Sequence, residues 1–145
     1  MSAPQKNKET ISALYENGFN KRDLNFFHDL ISPEYIGADG TKGAASFEGP
    51  IISLIRAMPD VQWKIQELLT EGEKVVARWK VQGTQTGIFN GFPATGRTVS
   101  SDGMAVFEFE GGKIIRITVQ TDRLGFLQQI GVLPTDLSQL SKPVA

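Results

Sequence analysis

The run KVVARWKVQGTQTGIFNGFPATGRTVSSDGMAVFEFEGGKIIRITVQT, residues 74–121, decides the fold. In residues 74–86, Val75, Ala77, Trp79 and Val81 alternate with Val76, Arg78, Lys80 and Gln82. A period of two belongs to a strand that is apolar on one face only. Residues 87–96 form a connection rich in glycine and proline, and residues 97–109 read as a second long strand. Gly111-Gly112 is a turn. Residues 113–121 then alternate again, with Ile115, Ile117 and Val119 set against Arg116, Thr118 and Gln120. Upstream, residues 61–69 predict one more strand, linked to residue 74 by a hairpin turn at Glu71-Gly72. Strands joined by tight turns pair antiparallel, so the sheet is a meander and not a doubly wound parallel sheet.

Outside this block the spacing is helical. In residues 4–19, Ile11, Leu14, Tyr15, Gly18 and Phe19 share one helix face. Residues 20–22 are a turn. Asp23 is expected to cap a short second helix that runs to Ile31 and is stopped by Pro33. Residues 35–39 read as a short strand or extended piece, and residues 40–49 as a loop of small residues. Pro50 is placed at the first position of a third helix, with Ile51, Leu54, Ile55 and Met58 inward. A closing helix starts at Asp122 or Arg123, carries Leu124, Leu127 and Ile130, and ends at Gly131. The expectation is one α+β domain over residues 1–145, with loose ends at 1–6 and 135–145. Its curled antiparallel sheet is covered by the N-terminal helices. Such an arrangement leaves a cone-shaped interior, which is a ligand pocket if side chains do not fill it.

Composition narrows the function. The 145 residues hold 15 Lys and Arg against 16 Asp and Glu, so the chain has no basic excess with which to displace phosphate counterions. Nucleic acid is therefore not expected as a partner. No stretch approaches the roughly 20 apolar residues of a membrane span, and the polar start lacks a secretory apolar core. A cytoplasmic location with no membrane partner is the resulting expectation. There is no cysteine and only one histidine, His28, which excludes disulfides, thiol nucleophiles and multi-histidine metal sites. His28 falls in a short helical pattern and reads as a partly exposed structural residue. No metal or other cofactor is expected. Gly83, Gly87, Gly91 and Gly96 lack dinucleotide-binding spacing and join strands.

Three segments carry a family resemblance. VQGTQTGIFNGFPATGR, residues 81–97, is similar to the G-T-x-T-G…G-x-P-x-T-G-R run of SnoaL-like ester cyclases. Gly112-Lys113-Ile114 is similar to their G-K-I turn, and DRLGFLQQIG, residues 122–131, to their D-x-x-G-L-L-x-Q-L-G ending. The opening helix and Met58-Pro59-Asp60 fit the same scheme, so the resemblance spans nearly the whole chain. It implies the cone of the nuclear transport factor 2-like superfamily, a homodimer through the outer sheet face, and cofactor-independent chemistry on a small apolar carbonyl compound. That chemistry is ring closure by an aspartate acting as general acid–base. By motif alignment, histidines that many members carry fall here on Ala105 and Ile117.

Asp122, at the position of the family's aspartate, is the candidate acid–base; the same residue suits a plain helix N-cap. A carboxylate in an apolar pocket has its pKa raised towards the working pH, which improves it as base and then as acid. Candidate substrate-binding residues are Tyr35, Asp39, Gln85, Arg116 and Gln120. Each has a structural alternative: Tyr35 in the core, for instance, or Asp39 as a turn residue before Gly40. Arg116 and Gln120 share alternation parity with Asp122 unless a β-bulge intervenes. Two further readings stand beside the cyclase or isomerase. One is a non-catalytic module that binds a small molecule. The other is epoxide hydrolysis by Asp122, Arg116 and Asp39 or Asp102.

Overall fold

The computed structural model describes residues 2–140. The first helix, α1 (Ala3–Ala13), continues without a break into a π-helical stretch, Leu14–Asn20. Two short helical pieces follow, α2 (Phe26–Leu30) and the longer α3 (Ala44–Ala57). Four strands come next: β1 (Gln62–Glu71), β2 (Lys74–Thr84), β3 (Thr98–Glu110) and β4 (Lys113–Thr121). Helix α4 (Arg123–Gln129) closes the domain, with a single 3₁₀ turn, Leu137–Gln139, beyond it. The strands pair in chain order, β1-β2-β3-β4, antiparallel throughout. The expected meander is therefore present.

Register divides the side chains cleanly between two faces. Rows such as Trp63–Val81–Ser101 and Leu68–Ala77–Ala105–Val119 point inward under the helices. Rows such as Glu71–Lys74–Glu108–Arg116 point outward. Two register shifts, at Gln66 in β1 and Ile115 in β4, each add an unpaired residue. A bulge of this kind bends its strand and increases the twist. The second one corrects the sequence expectation: Ile114 and Ile117, not Ile115 and Ile117, are the inward pair.

The core is aromatic. Phe19 packs against Tyr15, Phe27, Phe47 and Trp63 with ring centroids 4.7, 5.4, 6.0 and 5.0 Å away. Gly18 permits this, because a β-carbon there would lie 2.7 Å from the Phe27 ring. Arg22, at φ 62°, ties the end of the π-helical stretch to the start of β1. Its guanidinium donates to the carbonyls of Phe19 (2.6 Å), Pro59 (3.0 Å) and Val61 (2.6 Å).

Several local expectations are overturned. Residues 44–49 are helical, and Pro50 lies inside α3 and not at its start. Phe47 extends the inward stripe of Ile51, Leu54, Ile55 and Met58 by one turn, and that burial outweighs the hydrogen bond Pro50 cannot make. Gly43, at φ 86°, turns the chain into the helix. Asp23 gives no side-chain cap, and α2 begins only at Phe26. Residues 35–39 contribute a single bridge, Ile36 to Lys42. At the ends, residues 3–6 belong to α1, while Met1 and residues 141–145 lie outside the described residues.

Candidate ligand-binding site

The inward face of the sheet is the natural floor of a site. Reading across the registers, it carries Trp63, Ile65, Leu68 and Thr70 from β1, and Val75, Ala77, Trp79, Val81 and Gly83 from β2. Strand β3 adds Val99, Ser101, Gly103, Ala105, Phe107 and Phe109, and β4 adds Ile114, Ile117, Val119 and Thr121. No carboxylate, imidazole, amine or guanidinium stands on this face.

Most of this face is buried, and its exposed part lies at the C-terminal end of β4. Tyr15, on the π-helical stretch, lies over Trp79 at a centroid distance of 5.5 Å and edge-on to Phe107 at 6.2 Å. Trp79 lies across Gly103, where a β-carbon would meet the indole at 2.8 Å. Its neighbour in the same row is Thr121, which is exposed. One row along, Val119 also faces inward yet is 48% exposed. Helix α3 crosses this side from Phe47, beside Phe19 and Tyr35, to Met58, against Gly83. Between those anchors Ile51, Leu54 and Ile55 pack on the core but are only half-buried. The exposed part of the inward face is thus Val119 and Thr121, in the C-terminal half of β4. Two surface grooves, of about 330 and 450 Å³, lie elsewhere, at the hairpin turns around Glu73, Gly111 and Gly112 and around Gly72, Glu108 and Ile115.

The residues singled out from the sequence are dispersed. Asp122 is exposed, and its Oδ1 accepts the Gly125 N–H at 2.8 Å, the cap of α4. Arg116 and Gln120 stand on the outer face, opposite Glu108 and Met104. Arg116 pairs with Glu108 at 3.6 Å. The Asp–Arg–Asp arrangement is therefore not assembled inside the cone. Gln85 is fully buried, and its amide is occupied by the connection between β2 and β3. It donates to Gly87 and Pro93 carbonyls at 3.0 and 3.1 Å and accepts from Thr95 N–H and Oγ1 at 3.0 and 2.6 Å. Tyr35 and Asp39 do lie near one another. Burial, then the Asp39 charge, pushes the Tyr35 hydroxyl pKa up. The Thr41 hydroxyl and N–H, then Ser46, hold the exposed Asp39 carboxyl below its usual range. His28 is exposed, its Nε2 2.9 Å from Glu48 Oε1, linking α2 to α3. Among the described residues no three metal-ligating side chains cluster, and no helix is long and apolar enough to cross a membrane.

The sequence reading assigned no polar role to Tyr15, Trp79 or Ser101. Tyr15 and Trp79 are 3% and 5% exposed, and Ser101 is 7% exposed. None of their polar atoms has a hydrogen-bond partner among the described residues, yet none is sealed off. The one sealed side-chain atom there without a hydrogen bond is Glu48 Oε1, which the His28 ring approaches at 2.9 Å outside hydrogen-bonding geometry.

A curled antiparallel meander roofed by helices is an α+β cone of the nuclear transport factor 2-like kind. The family model for SnoaL-like polyketide cyclase matches residues 9–130, and the chain belongs to that family. Among solved structures, a SnoaL-like protein from Jannaschia sp. CCS1 is 22% identical with a TM-score of 0.82, covering 92% of this chain and 97% of its own. TsrD from Streptomyces laurentii is 28% identical with a TM-score of 0.77, covering 90% and 96%. IdmH from Streptomyces antibioticus is 26% identical with a TM-score of 0.73, covering 86% and 98%. No curated protein matches the chain.

Proposed function

We propose that this chain holds a small apolar carbonyl compound at the exposed end of the sheet's inward face without acid–base catalysis, Asp122 serving as a helix cap. The observation that carries this reading is the inward face of the sheet: its strands present only aromatic, aliphatic and small neutral residues. General acid–base work needs a titratable group within hydrogen-bonding reach of the substrate, and a raised carboxylate pKa needs burial. Asp122 is exposed and bonded to a helix N-terminus, away from the inward face. Binding should be saturable for a flat aromatic ketone such as 2-acetylnaphthalene, measured by equilibrium dialysis. Val119→Trp, at an exposed position, should cover that end and weaken binding at least about tenfold, while leaving thermal unfolding unchanged. Undiminished binding in that variant removes the proposed site.

A second reading, a cyclase or isomerase with Asp122 as acid–base, is favoured by the family match, which spans Asp122. It requires α4 to release the carboxylate when substrate enters.

The outer face supports a homodimer. A row of Leu69, Val76 and Val106, with Met104 beside it, runs across three strands. Leu69 and Met104 are 55% and 46% exposed. Charges of both signs border it, including the Arg78–Glu67 and Lys80–Asp102 pairs, which suits a self-complementary two-fold contact. Analytical ultracentrifugation should give twice the chain mass, and Val106→Asp should return the monomer.

A further inference from the structure

We infer that Asn90, which precedes Gly91 in the connection between β2 and β3, is a site of spontaneous deamidation gated by opening of the turn that holds it. The product is a mixture of aspartate and isoaspartate at residue 90. This inference is independent of the binding reading above.

When glycine follows asparagine, no β-carbon obstructs the approach of the next backbone nitrogen to the side-chain carbonyl. The chain holds two such pairs, Asn17-Gly18 and Asn90-Gly91. The fold separates them. Asn17-Gly18 lies inside the π-helical stretch, where Gly18 is buried against the Phe27 ring. Its backbone cannot rotate to bring the Gly18 nitrogen onto the Asn17 carboxamide while that stretch stays helical. Asn90 and Gly91, by contrast, are both exposed. Their φ angles are 46° and 84°, as a two-residue type I′ turn requires. Neither the Gly91 N–H nor the Asn90 carboxamide makes a hydrogen bond among the described residues, so both reacting groups are free.

The chemistry needs only water and base. Hydroxide removes the Gly91 N–H proton, and that nitrogen attacks Asn90 Cγ. The N–Cγ bond forms, the Cγ–Nδ2 bond breaks, and Nδ2 takes a proton from water and leaves as ammonia. Water then opens the resulting succinimide. Attack at Cγ gives aspartate; attack at the backbone carbonyl carbon of residue 90 gives isoaspartate, whose main chain runs through the side chain. What restrains the reaction is the closed turn. Phe89 and Phe92 exchange two backbone hydrogen bonds, of 3.0 and 2.8 Å, and the Phe89 ring lies 4.6 Å from that of Phe126 on α4. The Gln85 amide braces both legs of the connection through Gly87, Pro93 and Thr95. Ring closure requires rotation out of the left-handed backbone of the closed turn, so its rate follows the fraction of time the connection is open. Isoaspartate lengthens the main chain between Phe89 and Phe92, and their pair of hydrogen bonds is then lost.

The test incubates wild type, Gln85→Leu and a synthetic peptide of residues 81–97 in the same mildly alkaline buffer, followed by tryptic mapping and mass spectrometry. Trypsin cuts after Lys8, Lys21, Lys80 and Arg97, so each Asn-Gly pair falls in its own fragment. Residue 90 should gain the single mass unit of deamidation and its fragment should split into aspartyl and isoaspartyl forms, with Asn17 unchanged. The folded chain should react more slowly than the peptide. Gln85→Leu should react at least about fivefold faster than wild type, because loosening the brace raises the open fraction by that order. If Gln85→Leu does not fold, Phe89→Ala, which removes the ring against Phe126, serves as the loosened variant. Asn90 left intact in wild type while the peptide reacts to completion, or Asn17 reacting as fast as Asn90, overturns the assignment. A wild-type rate equal to that of the peptide, or one that the loosened variant leaves unchanged, overturns the gate.

Discussion

Replacing Gln85 by leucine tests how the connection between β2 and β3 is held. Gln85 is fully buried. Its side chain makes four hydrogen bonds, two donated to Gly87 and Pro93 carbonyls and two accepted from Thr95. Leucine is close in volume, so little cavity is created and the loss is of hydrogen bonding. At about 1 kcal/mol net for each bond, the gross loss is about 4 kcal/mol; relaxation of the connection towards water recovers part of it, leaving roughly 2–4 kcal/mol. A chain of this length has an unfolding entropy of about 0.3 kcal/mol/K, so Tm should fall by about 7–13 °C. The effect should reach α3, since the Gly87 N–H donates to the Ala57 carbonyl at 3.0 Å. Differential scanning calorimetry measures the shift, and limited proteolysis should show new cleavage within residues 86–96. A Tm within about 2 °C of wild type, with the connection still protected, refutes the reasoning.

Other consequences are equally direct. Gly103→Ala places a methyl group against the Trp79 indole, which Tyr15 prevents from moving freely. Tm should drop by about 3–7 °C, for an overpacking cost of about 1–2 kcal/mol after the strand gains from losing glycine; an unchanged Tm means the indole is not fixed. Asp60 accepts from Thr84 N–H at 2.7 Å and Thr84 Oγ1 at 2.8 Å, and these bonds hold its pKa below the ordinary value. A folded-state pKa below the unfolded one gives stability that is present above the unfolded pKa, near 4, and lost as the pH falls through the folded value. Melting curves from pH 6 down to pH 2.5 should therefore fall more steeply for wild type than for Asp60→Asn, and parallel curves would remove Asp60 from the acid response.

Much of the fold was legible because β2 obeys a strict period of two. Val75, Ala77, Trp79 and Val81 are all inward, and the glycine turns at 72 and 111–112 take positive φ as a tight hairpin requires. The alternation in β4 misled at Ile115, because a bulge leaves no mark in a run of Ile-Ile. The start of α3 was missed because Gly, Ala and Ser look like a loop, and only the contacts of Phe47 with Phe19, Phe27 and Tyr35 explain why those residues coil. The site was less legible for a related reason. Tyr15 and Trp79 read as core by their spacing, and they are core by their rings. Asp122 and Gln85 attracted attention through family motifs, yet one caps a helix and the other pins a loop.

The most direct examination of the central claim is the turnover and binding of wild type and Asp122→Asn side by side, using an enolisable β-keto ester as substrate and 2-acetylnaphthalene as ligand. Asparagine caps a helix about as well as aspartate, so the variant keeps its fold while losing the proton-transferring group. The account predicts the same Kd for both proteins and no difference in rate. A loss of about a hundredfold or more in rate in Asp122→Asn, with Kd unchanged, would make Asp122 the acid–base and contradict it.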